Sequence, residues 1–142
     1  MAELTFQPID CRALSKLLGG RLDFPVVGYA GYEGGELRGV GGLAWHFGRC
    51  WLFLGAVDMA HTHPVVVVRW ARRMLRKAQQ LGEAQVYCWR DDHPRSRKLL
   101  ETVGFQLMGL EDVTLFDGSI AQKEVWLWQI PSPSEPSPSS AP

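Results

Sequence analysis

The sequence predicts an α/β domain: a mixed, mainly antiparallel sheet of six or seven strands flanked by three to four helices. Three observations carry that expectation. Two apolar runs, Val26 to Glu33 and Leu37 to Phe47, flank Gly34-Gly35, a pair that suits a tight hairpin because both residues tolerate positive φ. From about Val65 to Leu81, apolar residues recur every three to four positions, the period of an amphipathic helix. Phe105 to Phe116 and Glu124 to Ile130 form a second strand pair, with Asp117-Gly118 in a loop that runs on through Gln122.

The remaining elements follow in chain order. Leu4 and Phe6 mark a short first strand. Asp10 can cap a helix whose apolar face is Ala13, Leu14, Leu17 and Leu18, stopped at Gly19-Gly20. Glycines recur at positions 28, 31, 39, 41 and 42, where they mark either close backbone approach or weak edge strands. Arg49 to Val57 is nearly all apolar, as in a central strand covered on both faces. Asp58 to Pro64 connects it to the long helix. Val65 to Val68 make an awkward helix start, because β-branching restricts their rotamers, so part of this stretch is expected to be extended. Ala84 to Trp89 is a strand with Val86 and Cys88 on one face and Tyr87 and Trp89 on the other. Asp92 or His93 then caps a short helix with Pro94 in its first turn, Leu99, Leu100 and Val103 on one face, and Gly104 at its left-handed stop.

Bulk properties narrow the function classes. A chain of 142 residues, 46% hydrophobic, fills one core. Residues 1–130 form the domain, and Pro131 to Pro142, made of Pro, Ser, Glu and Ala, is expected to be a disordered tail. Zero net charge selects no polyanion as a partner. Locally, nine basic residues stand against three acids between Arg69 and Lys98. Three cysteines, Cys11, Cys50 and Cys88, have no metal-type spacing, and a reduced cytoplasmic setting is expected. No signal peptide is visible and no apolar run nears the ~20 residues of a membrane span. Trp45, Trp51 and Trp89 lack the interleaved basic residues of a base-stacking surface, so nucleic acid is not an expected partner. His61-x-His63 with Asp58 has the residue types of a zinc site but no further His or Cys close in sequence, and no metal is expected.

The stretch from Asp91 to Phe105 resembles the C-terminal half of the GNAT superfamily, the acyl-CoA-dependent N-acetyltransferases. The family pattern there is Asn-x-x-Ala-x-x-Leu-Tyr-x-x-x-Gly-Phe. His93, Ser96, Leu99, Leu100, Gly104 and Phe105 keep its frame, with His93 in place of the Asn and Leu100 in place of the Tyr. The resemblance covers residues 3 to 130 and implies a central pair of splayed parallel strands, here those ending near Val57 and Trp89. It implies acetyl-CoA in the wedge between them, with pyrophosphate on the amides that open the following helix.

On that resemblance the cofactor contacts are Val57, Asp58 and Met59 at the strand end, Arg69, Trp70, Ala71 and Arg72 on the long helix, and His93 and Ser96 on the short one. The family's phosphate signature, Arg/Gln-x-x-Gly-x-Gly/Ala, falls on Val66, Arg69 and Ala71, and only Ala71 fits it. Arg69, Arg72 or Arg73 can offer a guanidinium to phosphate instead. Asp58 is the candidate base, with Glu33 and Glu36 as substitutes. Tyr87 and His93 are the candidate acids in place of the missing Tyr. The implied acceptor is a primary amine on a small molecule or a protein. A second resemblance, to the small internal virion protein of short-tailed bacteriophages, implies the alternative: a catalytically inactive GNAT-like domain that is virion-associated and binds other virion proteins.

Overall fold

A computed structural model describes residues 3–18, 24–55, 62–90 and 93–130. The elements in order are β1 (Leu4–Ile9), α1 (Cys11–Leu18), β2 (Val26–Glu33), β3 (Glu36–His46), β4 (Arg49–Leu54), α2 (Pro64–Gln80), β5 (Gln85–Trp89), α3 (Ser96–Val103), β6 (Gln106–Thr114) and β7 (Ile120–Gln129). One seven-stranded sheet has the order β1-β2-β3-β4-β5-β7-β6. Every neighbouring pair is antiparallel except β4 and β5, which run parallel. The expected mixed sheet is present, with three helices among the described residues. The expected tail lies outside them.

Local chemistry accounts for the element ends. Asp10 Oδ1 accepts the Ala13 N–H at 2.8 Å and caps α1 as expected. Gly34 and Gly35 turn the β2–β3 hairpin at φ 60° and 81°. Gly104 ends α3 at φ 116°, where its N–H reaches the carbonyls of Leu100 and Glu101.

The four valines are helical throughout. Pro64 supplies a pre-set φ at the first position, and Val67 and Val68 are buried, Val67 against Leu4 and Leu54 of the sheet. Burial of these side chains outweighs the few tenths of a kcal/mol that β-branching costs in a helix. The last hairpin is also tighter than expected, because pairing continues to Thr114 opposite Ile120.

The sheet has a core on each face. Along β4, Cys50 and Leu52 pack beneath α2 and α3 with Met74, Leu75 and Val86. Phe53 faces the other way, onto Leu14 of α1 and Ala44. Alternation along one strand sends successive residues to opposite layers, so β4 is apolar at nearly every position.

The strand glycines are packing devices. A Cβ on Gly41 would lie 2.5 Å from the Trp70 ring, and one on Gly42 would lie 1.9 Å from the Val27 carbonyl oxygen. The absent side chains let Trp70 and the β2 backbone close onto β3.

Candidate acyl-donor site

β4 and β5 touch as neighbours at one register pair, Trp51 and Tyr87, and then part. Beyond that pair the facing backbone groups have no ladder partner in the other strand, and an opening runs between the strand ends. A cavity of about 260 Å³ occupies it. Leu52 and Cys88 line it from the α2–α3 layer, and Phe53 and Trp89 line it from the α1 layer. One space walled by consecutive residues of both strands therefore passes through the sheet.

The helical wall of this cavity comes from Val67, Trp70 and Ala71 of α2 and from Ser96, Leu99 and Leu100 of α3. The lining is mainly apolar, with Ser96 and Arg90 as its polar side chains. Ser96 is the buried polar side chain of the described core. Trp70 is 4% exposed, and its indole N–H has no hydrogen-bond partner among the described residues. An orphaned buried donor costs about 1–3 kcal/mol.

Leu99 also lines a second groove, between the start of α2 and α3. Arg69, Arg72, Arg95 and Lys98 surround that groove. Arg72 donates to the Thr102 carbonyl at 2.8 Å and ties the two helices together. Arg69 and Lys98 form no ion pair among the described residues. An apolar passage thus adjoins four cations, the chemistry of a ligand with an apolar arm and a polyanionic head.

The expected site residues divide into four sets. Trp70, Ala71 and Ser96 meet in the cavity, and Arg69 and Arg72 meet on the basic groove. His93 and Tyr87 line neither. His93 Nδ1 accepts the Arg95 N–H at 3.1 Å and shapes the turn into α3. Tyr87 stacks beneath the Arg49 guanidinium at 4.3 Å, and its hydroxyl donates to Gln85 Oε1 at 3.4 Å. Val57, Asp58 and Met59 lie outside the described residues. Of the substitute bases, Glu33 contacts His63 ahead of α2 and does not line the cavity.

Leu100, in the frame position of the missing Tyr, is in the cavity wall. Sequence reasoning missed Phe116, which reaches the cavity from beyond β6, and gave no separate role to Arg95 and Lys98, although both belong to the basic stretch it had noted. Among the described residues no three His, Cys, Asp or Glu side chains are grouped to hold a metal ion.

Glu124 braces the cavity rim. It accepts from Arg90 Nε at 2.8 Å and from Arg97 at 3.3 Å. The Arg90 hydrogen bond is the main reason its carboxyl is held below the ordinary carboxylate range. Arg90 lines the cavity, so this pair fixes one wall.

Comparison with solved structures places this architecture. The fold is that of the GNAT N-acetyltransferases. The chain is similar to an IAA acetyltransferase from Bacillus cereus, with TM-score 0.63, 14% identity, and 90% of this chain and 100% of that chain covered. It is similar to a Bacillus subtilis acetyltransferase in complex with CoA, with TM-score 0.60, 14% identity, and coverage of 92% and 99%. It is also similar to a ribosomal-protein-alanine N-acetyltransferase from Escherichia coli, with TM-score 0.60, 12% identity, and coverage of 95% and 100%. No protein-family model matches the chain. No curated protein matches it by sequence. No helix among the described residues is long and apolar enough to cross a membrane.

Proposed function

We propose that this chain is an N-acyltransferase that moves an acyl group from acyl-CoA, acetyl-CoA in the simplest case, to a primary amine. The observation that carries this reading is the cavity through the sheet where β4 and β5 part, adjoining four cations across Leu99. The narrow pantetheine arm suits the passage, with its methylene and gem-dimethyl groups against the apolar lining and its amides toward the facing backbone groups of the parted strands. The phosphates have Arg69, Arg72, Arg95 and Lys98. Side-chain guanidinium groups then do the work that a glycine-rich loop does in the family pattern.

Acyl-CoA supplies a thioester activated for attack. The amine nitrogen bonds to the acyl carbon, and the carbon–sulfur bond breaks. The CoA thiolate leaves and takes up a proton, and the new amide nitrogen gives one up. Leu100 cannot donate that proton. Ser96 is the hydroxyl that lines the cavity, and with water it is the route this geometry offers.

The test is thiol release: protein, acetyl-CoA and a panel of primary amines, with free CoA measured over time. Amine-dependent release above the protein-free rate supports the reading. The second reading, an inactive GNAT-fold domain assembled with virion proteins, draws on the same departures at Arg69 and Leu100. It predicts no release with any amine.

A further inference from the structure

We propose that the acceptor enters a groove at the β3–β4 turn, and that its amine is carried on a flat apolar ring. This rests on the donor reading above. The groove has a volume of about 410 Å³ and is lined by His46, Phe47, Trp51, Trp89, Val113 and Phe116, with Arg49, Glu111 and Asp112 at its polar side. That size lies within the roughly 300–1,000 Å³ typical of small-molecule sites. Trp89 and Phe116 line both this groove and the donor cavity, so the two spaces meet at those rings.

Ring contacts link the groove's aromatic residues, with Phe24 behind the lining joining His46 to Phe116. Phe47 meets His46 at 4.1 Å, His46 meets Phe24 at 4.2 Å, and Phe24 meets Phe116 at 5.8 Å. Phe116 meets Trp89 at 5.7 Å, and Trp89 meets Trp51 at 5.3 Å. The outermost ring is held open by the turn itself. Phe47 and Gly48, at φ 52° and 73°, are the two residues between the paired His46 and Arg49, where a two-residue hairpin turn requires positive φ. That turn leaves the Phe47 ring 73% exposed. A ligand ring stacked on Phe47 and His46 would cover it.

The charges fit an amine. Glu111 accepts from Arg49 at 2.9 Å, which leaves one anion in excess, and Asp112 has no ion-pair partner among the described residues. These carboxylates favour entry of the ammonium form. The inner end is walled by Trp89 and Phe116, and an apolar wall favours the neutral amine that reacts. An extended lysine chain would leave the ring floor uncovered, and a polyamine would also leave its further charges unpaired.

The test uses the full chain, isotope-labelled, with phenethylamine as the ring-bearing probe and spermidine as the ring-free one. Phenethylamine is expected to shift the indole N–H signals of Trp51 and Trp89, and spermidine is not. Phe47→Ala, at an exposed position that leaves the core intact, is expected to weaken phenethylamine about fivefold, while Phe47→Tyr retains it. In the thiol-release assay the same Phe47→Ala change raises the KM of phenethylamine and leaves that of acetyl-CoA unchanged. No indole shift, equal shifts from spermidine, or an unaltered affinity in Phe47→Ala would each overturn the proposal. The binding arm is read without acetyl-CoA, so a failure of the donor reading is seen separately, as an absence of thiol release with the indole shifts intact.

Discussion

Trp89 and Phe116 stand with ring centroids 5.7 Å apart where the cavity through the sheet meets the aromatic groove. Phe116 also contacts Phe53 at 4.9 Å, so it wedges between the two parted strands from the α1 side. Truncation by Phe116→Ala is expected to remove the wall that aligns donor and acceptor. Thiol-release kinetics should show kcat/KM reduced about tenfold or more, with CoA affinity changed far less. An equal loss in both would place Phe116 in donor binding alone.

Charge reversal on the basic groove isolates the phosphate contacts. Arg69 and Lys98 are exposed, so Arg69→Glu with Lys98→Glu should leave melting temperature nearly unchanged. Each lost charge-assisted contact is worth about 1.5–3 kcal/mol, so the double variant should raise the Kd of CoA by about a hundredfold or more. It should also flatten the salt dependence of binding. Calorimetry at two salt concentrations reads both effects.

Gly42→Ala should be among the most damaging single-methyl additions in the chain. The new Cβ would sit 1.9 Å from the Val27 carbonyl oxygen, and that neighbour is backbone that cannot rotate away. A loss of about 3 kcal/mol or more is expected in denaturant unfolding. Gly35, with nothing within 4 Å of an added Cβ, has only its turn conformation to lose and should cost less.

The Glu124 carboxyl is depressed mainly by the Arg90 hydrogen bond, so its charged form belongs to the folded state. Its contribution is fully present above the unfolded value of about 4.5 and is lost as pH falls through the folded value. Wild-type stability should therefore drop on the acid side of pH 4.5, and Glu124→Gln should show a shallower drop from a lower starting point. Thermal unfolding across pH 3 to 7 checks the sign.

The sequence carried the elements well because their signals are local. The helical period of α2, the Gly104 stop, the Asp10 cap and the alternation of Val86 and Cys88 against Tyr87 and Trp89 all survive in the fold. Local signals failed where tertiary burial decides. The β-branched start of α2 is helical because Val67 is covered by Leu4 and Leu54 of the sheet and Val68 is buried, contacts no sequence window contains. Ile120 extends β7 because Thr114 pairs with it, although its side chain is 72% exposed.

The site was legible in part, and the limit was again long-range placement. Trp70, Ala71 and Ser96 reach the cavity because helix faces set their direction. Tyr87 carries a proton-bearing group of the right type, but it stands two residues before the cavity's own Trp89 and its hydroxyl turns to Gln85. Phe116 becomes a cavity wall through the return of β6 across the molecule, which nothing near it in sequence announces.

Acetyl-CoA titrated into the full chain by isothermal calorimetry tests the central claim most directly. The parted strands and the four cations predict one saturable site per chain that weakens as salt is raised, with a negative heat-capacity change from burial of the pantetheine arm in the apolar passage. No heat at millimolar acetyl-CoA, in a chain that unfolds cooperatively, would contradict the account.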